Sequence, residues 1–296
     1  NERCRKRKKK LIMKYMVTGA TGHLGQHVVK QLSKLTSPDN IRVGVHNPAK
    51  ASQFKDAGYE IAAIDYHDVA KMTAAFSGID VVIYIPSITY LVKDRIDEFE
   101  NSLTTMFKAD VHNLVDVSFI ADQYNNPFQM AGYYAYLPAR LASSGLKYAV
   151  VKNSLYADPL VPYLPELIER HNIIYPVGDQ AMSFISRQDS AEAIANVAVK
   201  PYLRDKGQNY LLTMSKNYTM PELSYIMTNV TGEKIGYDPV TVKRFAETYA
   251  AEGDGNELAS MYQAAAMGLM NRVTDDFVYI TGHQPTDMKE FLIKNY

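Results

Sequence analysis

Short apolar runs alternate with stretches of helical spacing from residue 15 onward. Residues 15–18 (YMVT) form an apolar run that ends in a glycine-rich turn, and residues 23–35 then space Leu24, Val28, Val29, Leu32 and Leu35 along one helix face. The same reading predicts strands over 41–45, 59–64, 81–85, 114–120 and 147–151. The helices between them fall at 49–57, 69–76, 94–108 and 129–143. Several of the strands are apolar throughout, which predicts a parallel α/β sheet covered on both faces.

Beyond residue 153 the rhythm loosens. Pro159, Pro162, Pro165, Pro176 and Pro201 break the alternation, and the segment reads as loops and turns. Helical patterns return at 189–199, 220–231, 240–251 and 257–269. The expected organisation is a sheet domain over 13–154 and a smaller mixed lobe over 155–296, with the helix near 189–199 packing back on the sheet. The sequence has no repeats.

Composition narrows the class. A chain of 296 residues, 47% hydrophobic and 22% charged, can bury a large core. Its single cysteine, Cys4, cannot form an internal disulfide, so the cytoplasm is the expected compartment. No apolar stretch approaches the roughly 18 to 20 residues of a membrane span, and the start is too basic for a signal peptide. Seven of the 32 basic side chains and one of the 32 acidic ones lie in residues 1–12, which leaves 25 basic against 31 acidic from Met13 onward. The basic run has no interleaved aromatic residue, so it is expected to be a disordered tail rather than a nucleic-acid arm, with Met13 as a natural start. Neither nucleic acid nor membrane is an expected partner.

The turn at residues 19–25, GATGHLG, gives each glycine a task. Gly19 permits the tight turn, Gly22 lets the backbone approach a pyrophosphate, and Gly25 lets the helix pack on the strand. The turn follows a strand, opens a helix and starts an αβ series, which is the context of a dinucleotide fingerprint. The fold is thus a Rossmann-type doubly wound sheet, with Thr21, His23 and Leu24 beside the glycines in the cofactor site. Free amides at the helix start, with its dipole, would hold the phosphates. The second strand ends in His46 and Asn47, with Lys50 close by, and no Asp or Glu stands there for a ribose 2′-hydroxyl. Donors and positive charge suit a 2′-phosphate, so NADP is favoured and NAD is possible. Lys50 reads equally well as a solvated helix residue.

The fingerprint, HNPAK at 46–50, IDYHD at 64–68, FSGIDVVIYIPS at 76–87, SGLKYAVVKNSLY at 144–156 and RQDSA at 187–191 resemble the NmrA-like branch of atypical short-chain dehydrogenases, and within it the bacterial NAD(P)H-dependent quinone reductases. The resemblance runs from Met13 to the end. It implies that Asp65 and Tyr66 border the adenine, that Ile85, Pro86 and Ser87 line the cofactor, with Ser87 also toward substrate, and that Asn153 and Tyr156 face the nicotinamide and substrate. Lys152 stands where the family has arginine, and Asp158-Pro159 replaces its Glu-Asn. Asn153 can also be read as a loop residue capping its own backbone, and Tyr66 and Tyr156 as packing residues.

A standard short-chain dehydrogenase carries Tyr-x-x-x-Lys on a helix, where the ammonium lowers the phenol's pKa. Tyr148 and Lys152 have that spacing, but in a strand-like run whose four residues span about 13 Å. Tyr202 and Lys206 lie too far along the chain. The motif position falls on Tyr134, and four residues later stands Pro138. Tyr134 is a candidate proton donor, or a packed tyrosine. The seven histidines show no metal-ligand spacing. The expected activity is hydride transfer from NAD(P)H to a quinone-like acceptor, which becomes aromatic and needs no placed acid. The alternative is an NAD(P)-sensing regulator without turnover. A homo-oligomer is possible, since 22 tyrosines and 10 phenylalanines can line an interface or a core.

Overall fold

In the computed structural model, which describes residues 13–252 and 254–296, the six apolar runs become β1 (Tyr15–Val17), β2 (Ile41–Val45), β3 (Glu60–Ala63), β4 (Val81–Tyr84), β5 (Asn113–Phe119) and β6 (Lys147–Asn153). A seventh strand, β7 (Gln208–Leu212), pairs along β6 from Gln208 opposite Ala149 to Leu212 opposite Asn153. The order is β7-β6-β5-β4-β1-β2-β3, all parallel. The chain starts in the middle, winds outward to β3, returns to β4 beside β1 and winds the other way. The gap between the loops after β1 and β4 is the switch point where such sheets bind ligands. The basic tail at 1–12 lies outside the described residues.

Helices cover both faces. On one, α1 (His23–Leu32) lies with α2 (Ser52–Asp56); on the other, α3 (Val69–Phe76), α4 (Val92–Lys108) and α5 (Ala131–Ala142). Alternate strand residues feed two cores: Val17, Val43, Ile83 and Val115 pack with Leu24, Val28 and Leu32 of α1, while Met16, Val82, Tyr84 and Leu114 pack with Met72, Phe99 and Leu137. Burial on both faces is why these strands read as continuous apolar runs. α2 is shorter than its predicted helix because Pro48–Lys50 forms a 3₁₀ turn, with the Asn47 side chain accepting from the Ala49 amide at 3.0 Å.

The segment expected to be loops after 153 contains α6 (Leu160–Arg170). Its Pro162 sits in the first turn, where an amide has no intrahelical acceptor. Pro165 removes one interior bond, and burial of Leu160, Leu164 and Leu167 outweighs that loss. α7 (Arg187–Val199) then lies against α1 on the sheet, with Ala191, Ile194 and Val197 in the same core. α8 (Pro201–Arg204) leads into β7. The lobe is completed by α9 (Met220–Thr231), α10 (Val242–Thr248), α11 (Gly255–Ala266), α12 (Asp276–Thr281) and α13 (Met288–Asn295). Three short strand pairs, among them Leu155–Tyr156 with Phe184–Ile185, make it mixed. Residues after 154 therefore contribute both to the sheet and to the lobe. Among the described residues no helix is long and apolar enough to cross a membrane.

Candidate active site

Where β1 ends, Thr18 ties its loop to that of β4: its hydroxyl accepts from the Ile85 amide at 2.9 Å and donates to the Ile85 carbonyl at 3.2 Å. Gly19 follows with φ +61. A Cβ on Gly25 would stand 2.2 Å from the Gly19 carbonyl oxygen, so α1 can sit this close to the turn only with glycine there. Gly22 caps α1 without any side-chain hydrogen bond, and the first turn carries no acidic residue. Free amides at an uncapped helix start, with no competing carboxylate, fit a pyrophosphate.

A cavity of about 990 Å³ opens at the carboxyl ends of the strands, directly over this turn. Gly19, Thr21, Gly22, His23, Leu24 and Gly25 form one wall. His46 after β2, Asp65 and Tyr66 after β3, and Ile85, Pro86 and Ser87 after β4 continue it. Tyr134, Asn153 and Tyr156 stand at the other end. Asn47 and Lys50 are not among the lining residues: both are exposed, and the Asn47 oxygen caps its own 3₁₀ turn.

Several of these side chains are tied to the protein. The Tyr66 hydroxyl donates to the Ile85 carbonyl at 2.8 Å, and its ring packs edge-on against Tyr84 at 5.4 Å. Asp65 accepts from the His67 amide at 2.9 Å. Ser87 donates to Glu98 at 2.5 Å, so its hydroxyl proton is engaged within the wall. Asn153, the last residue of β6, is buried. Its Oδ1 accepts from Ser190 Oγ at 2.5 Å, and its Nδ2 has no partner. The guanidinium of Arg187 lies 5.3 Å over the Tyr156 ring, and burial raises that phenol well above its ordinary range.

Tyr134 receives a hydrogen bond from Arg95 at 3.1 Å. Burial raises its phenol, while Arg95 pulls it down. Of the other tyrosine and lysine pairs, Lys152 is ion-paired with Asp122, and Tyr202 is exposed on α8. Among the described residues no group of three or more His, Cys, Asp or Glu side chains could hold a metal ion.

Arg95, Glu98, Arg187 and Glu257 also line the cavity and were not singled out by sequence reasoning. The buried side of α4 includes Arg95, Glu98, Phe99, Ser102, Leu103 and Met106. Two charged residues within an otherwise helical apolar stripe were the available signal. Glu257, in the first turn of α11, is pushed up to about 7 by burial, partly offset by Arg95. Nothing local to residues 254–260 marks it.

Known proteins share this fold. The profile of the family described as NAD(P)H-binding matches residues 19–201. Quinone oxidoreductase 2 of Escherichia coli (strain K12) is 28% identical over 85% of this chain and 86% of its own. NAD(P)H azoreductase of Xenophilus azovorans is 23% identical over 93% and 96%. Among solved structures, a nucleoside-diphosphate-sugar epimerase from Staphylococcus aureus is 37% identical with TM-score 0.90, covering 95% of this chain and 100% of that one. An NADPH complex of an Escherichia coli NADPH-dependent quinone oxidoreductase is 26% identical with TM-score 0.86, covering 94% and 98%. Fingerprint, parallel sheet and these likenesses together mean that the chain belongs to the NAD(P)H-binding family, as its resemblance to NmrA-like short-chain dehydrogenases implies.

Proposed function

We propose that this protein is an NAD(P)H-dependent oxidoreductase that reduces quinones or similar electron-poor small molecules by hydride transfer, without a Tyr-x-x-x-Lys pair. The observation that carries the reading is Asn153. It lines the same cavity as the fingerprint turn, its amide is oriented by Ser190, and its Nδ2 donor is unpartnered. A buried donor with no partner costs about 1–3 kcal/mol, and an acceptor carbonyl would satisfy it.

A dinucleotide, when bound, supplies the hydride. The amides at the start of α1 would hold its pyrophosphate, and Asp65 and Tyr66 would border the adenine. His46, with no carboxylate beside it at the end of β2, favours the 2′-phosphate of NADPH. Ile85 and Pro86 would shape the path toward Asn153. Phe119, Tyr134 and Tyr156 give that end aromatic walls against which a planar acceptor can stack. The side chains of this chain then orient the acceptor and exclude water from it. Relatives that are named as a quinone reductase and an azoreductase support the same class of acceptor.

Two other readings have specific support. Identity of 37% to a structure described as a sugar-nucleotide epimerase favours an isomerase, but Pro138 occupies the position where such chemistry would draw a lysine partner for Tyr134. The NmrA resemblance favours a cofactor-sensing regulator. Steady-state oxidation of NADPH and NADH with a panel of small quinones and azo compounds separates the three. Acceptor-dependent oxidation is the expected result. Tight cofactor binding with no oxidation across the panel would overturn the reductase reading, and interconversion of a sugar nucleotide without net cofactor oxidation would replace it by the epimerase.

A further inference from the structure

Arg95 is a cation held inside the cavity wall. It is 6% exposed, and its guanidinium donates to the Thr89 carbonyl and to the Tyr134 phenol, the latter at 3.1 Å. The ring of Tyr133 lies 5.4 Å from it. Its Nε has no partner, and among the described residues no carboxylate stands within 4 Å as a counter-ion. A buried guanidinium with no carboxylate in contact is expensive to keep unless negative charge lies near it, and the Glu257 carboxyl, which Arg95 pulls down, supplies only a non-contacting partner across the cavity. The neighbour in direct contact on which charge can develop is the Tyr134 oxygen; Tyr134 lines the cavity, and its ring packs against those of Phe119 and Tyr133.

We propose that Tyr134 donates the proton of the reduction and that Arg95 is its positioning and charge partner, doing from α4 what a lysine at the position of Pro138 would do from the phenol's own helix. The inference rests on the reductase reading. Addition of a hydride to a carbonyl acceptor, with oxidation of NAD(P)H to NAD(P)⁺, leaves the acceptor oxygen anionic. That oxygen takes the phenol proton: the Tyr134 O–H bond breaks, the product O–H bond forms, and the negative charge passes to Tyr134 Oη beside Arg95. Solvent restores the phenol proton, with the Glu257 carboxyl, in the same cavity, as relay. The charged and titratable groups facing Tyr134 are Arg95 from α4, Glu257 from α11, Asp116 from β5, and the phenols of Tyr133 and Tyr156. Arg95 is the cation among them.

The pair is testable without turnover. A difluorotyrosine placed at position 134, read by ¹⁹F NMR in the whole protein without cofactor, reports its phenol's midpoint in a mild pH range. Arg95→Met should raise that midpoint by about one pH unit or more, the direction expected when a cation 3.1 Å away is removed. Arg95→Lys should recover at least half the shift, and it serves as the folded control should the methionine variant not accumulate. A midpoint unmoved by both substitutions overturns the pair. In turnover, Tyr134→Phe and Arg95→Met should each lower kcat/KM by about 10²-fold, and the double variant should fall no further than either. Multiplying losses overturn the pair as well. A protein that reduces no acceptor defeats the reductase reading alone, and the phenol midpoint still decides whether Arg95 and Tyr134 work together.

Discussion

Ser190 Oγ, in the first turns of α7, donates to Asn153 Oδ1 at the end of β6 across 2.5 Å, and both side chains are buried. The bond determines which end of the amide is left for a ligand. With the oxygen engaged, the free group is the Nδ2 donor, and β6 and α7 are locked together at the cavity.

Ser190→Ala frees the amide to turn its oxygen toward the cavity. The expected result is a loss of up to about tenfold in kcat/KM for the acceptor, as befits one neutral hydrogen bond, with the Kd for NADPH unchanged. Asn153→Ala should lose more by the same assay. Unaltered acceptor kinetics in both variants would remove the amide from the reaction.

Gly25→Ala pushes a methyl to 2.2 Å from the Gly19 carbonyl oxygen and 2.7 Å from the Ala20 Cα, both backbone atoms that cannot swing aside. The turn must open. We expect a loss of about 1–3 kcal/mol in stability by chemical denaturation, together with weaker NADPH binding by fluorescence titration. A variant of native stability and affinity would show that the turn adapts without harm.

The end of β2 sets cofactor choice. His46 lines the cavity, whereas Asn47 and Lys50 do not. His46→Asp should therefore turn a preference for NADPH toward NADH, through repulsion of a 2′-phosphate and a new acceptor for the ribose hydroxyl. The ratio of the two Kd values is the measurement. Lys50→Ala should change it little, and the opposite ranking would place the phosphate over α2 instead.

Asp116 lies fully buried on β5 opposite Tyr84 of β4, with both carboxyl oxygens unpartnered, and burial pushes it up to about 8. Its ordinary value is 3.8. Between these values the folded chain holds a proton that the unfolded chain releases. The group is therefore harmless below about pH 4, and it lowers stability progressively as pH rises toward 8. Asp116→Asn keeps the shape without the charge. It should stabilise the fold by about 2–4 kcal/mol at pH 7 and hardly at all at pH 4, measured by denaturant titration at both. A gain independent of pH would mean that the carboxyl is not what limits stability there.

The half of the fold built from long apolar runs and turn signals could be read from sequence, because β1, β2, β4, β5 and β6 are largely buried, only the edge strand β3 being partly exposed, and α1 to α5 separate the strands. β7 could not. Its segment QNYLL begins with two polar residues and gains its meaning only by closing the open edge of β6. α6 was hidden by Pro162 and Pro165, whose local cost is overridden by burial of Leu160, Leu164 and Leu167. The same division holds at the cavity. The fingerprint is local and legible, since Gly19 and Gly25 act on one another within a single turn. The meeting of Arg95 with Tyr134, or of Asn153 with Ser190, joins residues about 40 positions apart on separate elements. Only the folded sheet brings them together.

The position of β7 also orders events during synthesis. The chain emerging from a ribosome can pair β1 through β6 once residue 153 is out, yet β6 then remains an open edge of unpaired backbone groups until residue 212 follows. Glu257 arrives later still. The cofactor wall is thus complete well before the acceptor wall, and for that interval the nascent chain has a nucleotide cradle with no finished pocket beside it.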